Sequence, residues 1–270
     1  DKYGKENKYS ANLLEGTIID NEKLAFLRAY HAKKHLECLK VNEDNISLGT
    51  QIFDKVVSAI DHLPFYKNIL HDQKLYQKYK RQERSSSAHI FYWGMNKDFP
   101  KMDLHNIFFS DDYRAEFNAM FGKKEIDLAG TIYINITSKC DERDAPEVGE
   151  NWFVMLNVPA GATFTPELTA KVRQSLIARI EQLLGEPIAA HIVSEKAWNP
   201  QLIEADTGSY MGALYGASQN SKTAAITRHP NHSNKYPNLY FCGGTVHPGG
   251  GVPVSIQSAK IVDKLIASES

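Results

Sequence analysis

Five of the nine residues from Gly243 to Gly251 are glycine, in the stretch CGGTVHPGGGVPVS, although the whole chain holds only 17 glycines among 270 residues. No other stretch so narrows what this chain can fold into. Ahead of it, PNLYFC reads as a short apolar strand, and after it VSIQSAKIVDKLI reads as a helix with Ile256, Ala259, Val262 and Ile266 on the buried side. A strand, a bare turn and a helix bring several backbone N–H groups to a helix N-terminus, with no side chains to prevent close approach. That arrangement accepts a phosphate or the polar rim of a flat cofactor, and Pro248 and Pro253 stiffen it. The spacing matches neither G-x-x-x-x-G-K-[ST] nor G-x-G-x-x-G, so on spacing alone a purely structural turn stays equally open.

Composition removes several classes. With 42% hydrophobic and 23% charged residues, the chain has enough apolar material for one large domain or two smaller ones. Thirty-one basic residues balance 32 acidic ones without a long run of either sign, which gives no electrostatic reason to expect nucleic acid. Cys38, Cys140 and Cys242 form neither a CxxC pair nor a disulfide framework, and a reducing, cytoplasmic compartment fits them. No apolar run approaches the length of a membrane span, and the opening DKYGKENKYS is polar where a signal peptide would be apolar. The N-x-S/T matches at Asn45, Asn135 and Asn231 are accordingly read as chance.

Along the chain, LAFLRAYHAKKHL has helical spacing, and HLECLKVNEDNISLGTQIFDKVVSAID reads as a small β-meander ending in a buried strand. HIFYWGM, NIFFS, TIYINITS, NWFVMLNV and IAAHIVSEKAW read as strands, with Ile132, Ile134 and Ile136 sharing one face. SDDYRAEFNAMFGKK predicts a helix capped by Ser110 and stopped near Gly122. TPELTAKVRQSLIARIEQLLGEP predicts another, with Thr165 as cap, Pro166 first, a stripe of Leu168, Val172, Leu176, Ile180 and Leu183, and Gly185 as stop. The interleaving implies an α+β domain, an antiparallel sheet with helices on one face and the other face free for a ligand. NPQLIEADTGSYMGALYGASQN, with Gly208, Gly212 and Gly216 at four-residue spacing, reads as a loop or tight packing turn.

The segment NLYFCGGTVHPGGGVPVSIQSAK resembles the C-terminal signature of the phytoene desaturase family, the bacterial-type FAD-dependent carotenoid desaturases. IFFSDDYRAEFNAMF, TIYINITSKCDERDAPEVGENWFVMLNVPAG, GSYMGALYG and FDKVVSAIDH are similar to further segments of that family, so the likeness runs over about residues 36–270. SSSAHIFYWGM is more similar to the branch acting on hydroxylated or partly desaturated carotenoids. The resemblance implies a flavin amine oxidase-like two-domain fold mixing α+β and α/β parts. Residues 1–60 would be a partial flavin-domain segment, 61–200 the substrate-binding domain and 201–270 the return to a Rossmann-like FAD domain. It implies desaturation of a carotenoid, with a hydride passing to flavin N5 and a proton leaving the neighbouring carbon. Reversible peripheral contact with the inner face of the cell membrane is expected from such substrates.

Carried over residue by residue, the resemblance puts Gly243, Gly244 and Thr245 near the pyrophosphate and ribityl region of FAD. Pro248, Gly249, Gly250, Gly251, Val252, Pro253 and Val254 would lie along the isoalloxazine ring, and Ala59 at the dinucleotide wall. The sequence departs from the family spelling at Val246, inserted before His247, and at Gly250. Nothing in residues 1–35 resembles the family's G-x-G-x-x-G fingerprint, which implies either a longer native chain or a shortened relative that grips FAD poorly. With the flavin-facing turn retained, the desaturase is favoured over the alternative, a non-catalytic isoprenoid or lipid carrier.

No acid or base is singled out for catalysis. His247 adjoins the motif, but an imidazole that bonds the turn explains it as well. His31 with His35, and His229 with His232 and Cys242, lack the ligand count of a metal site; no metal is predicted, and RHPNH reads as a surface loop. Glu204 and Asp206 read as solvated carboxylates. Tyr210, Met211 and Tyr215 suit either an apolar tunnel or ordinary core packing.

Overall fold

The computed structural model describes residues 55–220 and 227–268, together with the backbone of strands at 39–41, 46–48 and 51–53. The helix read near residues 24–36, with His31 and His35, lies outside the described residues, as does Cys38.

The central sheet is built from apolar strands, of which Ile132–Asn135 and Glu150–Val158 bury every second side chain. Strands β1 (Leu39–Val41), β2 (Ile46–Leu48) and β3 (Gln51–Phe53) form the expected antiparallel meander. β4 (Val56–Ser58) follows, and then β5 (Ser87–Met95), β6 (His105–Phe108), β7 (Ile132–Asn135), β8 (Glu150–Val158) and β9 (Ile192–Trp198). These last five make an antiparallel sheet in the order β6-β7-β8-β5-β9, with β5 and β8 paired from Ser87–Val158 to Met95–Glu150. Because side chains alternate, one face collects Phe91, Trp93, Trp152, Val154, Leu156, Ile132 and Ile134, all essentially without solvent contact.

That face is covered by the long helix Pro166–Leu184. Thr165 caps it by accepting from the Leu168 N–H, Pro166 occupies the first turn, and Gly185 ends it in the left-handed region, all as the sequence predicts. Val172, Leu176, Ile177 and Ile180 enter the core, each stabilising it by about 1.5–3 kcal/mol. Leu183, predicted to belong to the stripe, is instead 57% exposed, and its neighbour Leu184 is buried. The last turn therefore rotates its inward face by one residue.

Other corrections are local. The helix Tyr113–Phe117 is capped by Asp112, whose carboxylate accepts from the Ala115 N–H; Ser110 is occupied by Glu116. The helix continues as a π-turn, Asn118–Lys123, that ends at left-handed Lys124 and not at Gly122. Within NPQLIEADTG, read as loop, Asn199 caps a helix at Pro200–Thr207 that Gly208 terminates. A second small core joins β4 to a parallel partner, β10 (Leu239–Phe241), beneath Leu63, Phe65, Tyr66 and Ile69 from the turns at 62–69 and Tyr76 from helix Gln73–Lys80. β4 itself is only half buried, since Val57 faces outward. The α-helices of five residues or more among the described residues are labelled in chain order: α1 (Gln73–Lys80), α2 (Tyr113–Phe117), α3 (Pro166–Leu184), α4 (Pro200–Thr207) and α5 (Val252–Ser268).

Candidate functional site

β10 runs parallel to β4, with Phe241 beside Ser58, and the Cys242 N–H continues the ladder to the Ser58 carbonyl at 2.9 Å. The chain then enters the glycine turn and leaves it as α5. This pairing brings Ala59, predicted from afar, to the turn: its carbonyl oxygen lies 3.4 Å from where a Cβ on Gly243 would stand. Gly243 and Gly251 have φ of 108° and 104°, which side chains rarely tolerate, and a Cβ on Gly251 would meet nothing within 4 Å. Gly251, Val252 and Pro253 are exposed, Gly244, Thr245, Pro248, Gly250 and Val254 half-buried, and Gly249 buried. The first-turn amides of α5 have no intrahelical acceptors. The predicted site residues therefore form one continuous ledge of backbone.

Three side chains hold the ledge in shape. Arg228, buried, donates to the carbonyls of Val246 (3.3 Å), Ala217 (3.0 Å), Tyr215 (2.6 Å) and Gly244 (2.7 Å). It thus ties the turn to the Gly212–Ala217 loop. Asn231 Nδ2 lies 3.0 Å from the Phe241 carbonyl, 2.8 Å from that of His247 and 2.9 Å from Ser258 Oγ. Ser258, fully buried on α5, donates to the His247 carbonyl and accepts from the Gly243 N–H. This explains why α5 buries Ser258 and Val262 while Ile256 and Ala259, predicted inward, are exposed. Val246, which departs from the family spelling, is fully buried in the second core, and His247 is exposed.

The approach of loop and turn is close. A Cβ on Gly216 would stand 2.9 Å from Thr245 Cα, and one on Gly250 would stand 2.3 Å from the Tyr215 ring. Tyr215 is exposed over the ledge, while Tyr210 packs with the second core and Met211 sits at φ 59° between them. The hydroxyls of Thr245 and Ser58 are buried without a hydrogen-bond partner among the described residues.

Behind the turn lies a buried polar cluster that sequence reasoning missed. Asp61 accepts from Arg84 at 2.5 Å, from the Leu63 N–H at 3.1 Å and from the Tyr210 N–H at 3.1 Å. His62 and His229 stack 4.4 Å apart, and His229 bonds the Tyr66 hydroxyl at 2.8 Å and the Pro230 carbonyl at 2.7 Å. Burial, then the charge of Arg84, holds His62 well below its ordinary pKa; burial and His62 push His229 down to about 2. Both rings are therefore neutral. RHPNH is thus a buried strut and not a surface loop, and His232 bonds the Pro237 carbonyl. Among the described residues no group of His, Cys, Asp and Glu could hold a metal. Asp206 accepts from Trp198 Nε1 on the exposed side of α4, with Glu204 exposed beside it.

The second feature is the open face of the large sheet. Ile107, Tyr133, Met155, Phe153, Tyr92, Ile90 and Trp198 share it, on strands β6, β7, β8, β5 and β9 in turn. Tyr92 and Phe153 meet edge to face at 5.5 Å, and Phe153 and Tyr133 at 6.2 Å. These side chains are mostly half-buried, an apolar surface that α3 does not cover.

No family model matches the chain. It is 47% identical over 228 residues to a 1-hydroxycarotenoid 3,4-desaturase from Flavobacterium sp. (strain P99-3), covering 84% of this chain and 47% of that protein. It is 32% identical over 222 residues to a 4,4'-diaponeurosporene oxygenase from Staphylococcus aureus (strain MSSA476), covering 80% and 45%. The chain thus spans about half the length of the curated relatives it matches. Among solved structures, a redesigned putrescine oxidase aligns with a TM-score of 0.50 at 12% identity, over 86% of this chain and 48% of the other, which shows a shared fold alone. The likeness extends over 84% and 80% of this chain, and by it the chain belongs to the carotenoid desaturase family.

Proposed function

We propose that this chain is the substrate-facing part of an FAD-dependent carotenoid desaturase, with its C-terminal turn set against the flavin. The observation that carries the reading is the bare ledge Gly243–Val254, clamped by Arg228 and joined to the loop that leads back to the sheet with the open apolar face. The residues present fit the cofactor: Gly251 leaves open space, the first-turn amides of α5 lack intrahelical acceptors, and among the described residues the buried hydroxyls of Thr245 and Ser58 have no partner. When bound, FAD supplies the hydride acceptor for removing hydrogen from a C–C bond. Gly243, Gly244 and Thr245 would hold its pyrophosphate and ribityl region, Pro248–Val254 its ring system, and Ala59 its dinucleotide wall. Arg228 occupies the carbonyls of Gly244 and Val246, which fixes the backbone of the ledge.

Carotenoid substrates follow from the relatives, whose names specify a hydroxycarotenoid and a diaponeurosporene. Tyr92, Tyr133, Phe153 and Met155 would hold such a chain by apolar contact and exclude water from it. In this reading residues 1–60 and 201–270 serve the flavin side and 61–200 the substrate, on the cytoplasmic face of the membrane. The test is to purify the whole polypeptide that carries this chain, measure released FAD, and supply a 1-hydroxycarotenoid. Bound FAD that bleaches with dithionite, together with a product absorbing further to the red, is expected. Carotenoid binding with neither FAD nor a spectral change would overturn the reading in favour of an isoprenoid carrier.

A further inference from the structure

Between β6 and β7 the protein puts apolar rings where a solvated helix face belongs. Phe109 is 70% exposed and Tyr113 56%, and Phe117 and Ile107 are exposed as well. Tyr113, Phe117 and Phe121 form a continuous stripe, with centroids 4.7 Å apart for Tyr113 and Phe117 and 5.5 Å for Phe117 and Phe121. The opposite side of the same helix is fastened to the fold. Buried Glu116 accepts from Ser110 Oγ at 2.7 Å, from the Thr131 N–H at 3.0 Å and from Thr131 Oγ1 at 2.8 Å, and Met120 is buried beyond it. The usual arrangement of a surface helix is therefore inverted, with a carboxylate inside and aromatics outside.

An exposed cluster of this kind marks a contact surface. The charges around it select the partner. Exposed Asp111, Asp112 and Glu125 offset exposed Arg114, Lys123 and Lys124, so neither a charged protein nor an anionic lipid is favoured. Lys124, with its ammonium 5.6 Å from the Phe121 ring, sits at the rim with its stem along the aromatic surface. Aromatic rings bounded by such stems fit the boundary between headgroups and acyl chains. The stripe also adjoins the open sheet face: Phe109 follows edge strand β6 directly, and Ile107 pairs with Tyr133 on that face.

We propose that Ile107, Phe109, Tyr113, Phe117 and Phe121 dock the protein on an uncharged bilayer surface, so that a lipid-dissolved polyene passes along β6 onto the open face. The docking stands on the exposed stripe; the delivery rests on the function proposed above. The test is flotation of the whole protein with carotenoid-free phosphatidylcholine vesicles. Wild type is expected to float at low salt and equally at about 0.5 M salt, where charge-driven binding is screened. Phe109→Ser, Tyr113→Ser and Phe117→Ser together should reduce flotation by on the order of tenfold or more, with an unchanged unfolding temperature.

Failure of wild type to float, flotation only on anionic vesicles, or equal flotation of the triple variant would overturn the docking. A wild-type dimer that the triple variant dissociates, without vesicle binding, would assign the stripe to a second copy and overturn it too. For delivery, the triple variant should lose turnover of vesicle-embedded carotenoid but keep turnover in detergent micelles. Equal loss in both overturns delivery. Because flotation needs neither flavin nor substrate, it stands or falls independently of the desaturase reading.

Discussion

At the scale of single residues, the glycine ledge depends on contacts that no local pattern announces. Gly216 has φ of 69°, and a Cβ there would press on the Thr245 backbone, which cannot swing aside as a side chain would. Gly216→Ala is expected to cost about 1–3 kcal/mol and to lower FAD content, read by thermal unfolding and by cofactor release. The glycines themselves were legible because their density is a sequence fact. Arg228, Asn231 and Ser258 were not, since each acts on partners 10–27 residues away that only the folded turn brings near. The buried histidines make a second residue-scale prediction. Burial takes His229 down to about 2 and His89 to about 4, and His62 well below its ordinary value. Unfolded histidine titrates near 6.5, so below that pH the unfolded chain binds more protons than the folded one. Their contribution is complete above about pH 6.5 and is lost progressively as pH falls below it. Urea unfolding at pH 7, 6 and 5 should show this loss, with a shallower slope in His89→Phe; a flat profile for wild type would refute it.

At the scale of elements, legibility followed the strength of the period. β7 and β8 bury alternate residues, β5 is a long apolar run, and α3 has both caps, so their positions were readable from residues alone. The turns at His62–Ile69 were not, because a three-residue helix running into a π-turn has no regular period and is held by tertiary burial of Leu63, Phe65 and Tyr66. The end of α3 separates pattern from packing. Leu183 lies on the sequence stripe but faces solvent, whereas Leu184 lies off it and is buried. Leu184→Ala should therefore cost about 2–5 kcal/mol. Leu183→Ala should fall within about 0.5 kcal/mol of wild type. Equal costs in denaturant titration would mean that the sequence stripe, and not the rotated last turn, describes the helix.

At the scale of the whole molecule, the two faces of one sheet are chemically different. The face under α3 is aliphatic and aromatic without a gap, and the stability of the sheet resides there. The other carries Tyr92, Phe153, Met155 and Tyr133, apolar but only half-buried, so it adds less to folding and remains available to a ligand. The register forces this split: Ile134 and Tyr133 are neighbours in sequence yet stand on opposite faces, and a substitution at either tests one role alone. Ile134→Ala should lower stability by about 2–5 kcal/mol through the cavity it leaves. Its effect on carotenoid affinity in protein that remains folded should be small. Phe153→Ser should do the reverse, with a modest stability change and a weaker apparent affinity for the polyene, because the ring lost is one that water already partly reaches. Paired measurements of unfolding free energy and of KM for both variants decide the matter. If Phe153→Ser proves as destabilising as Ile134→Ala with KM unchanged, the open face is a second core covered by other parts of the protein, and the substrate must bind elsewhere.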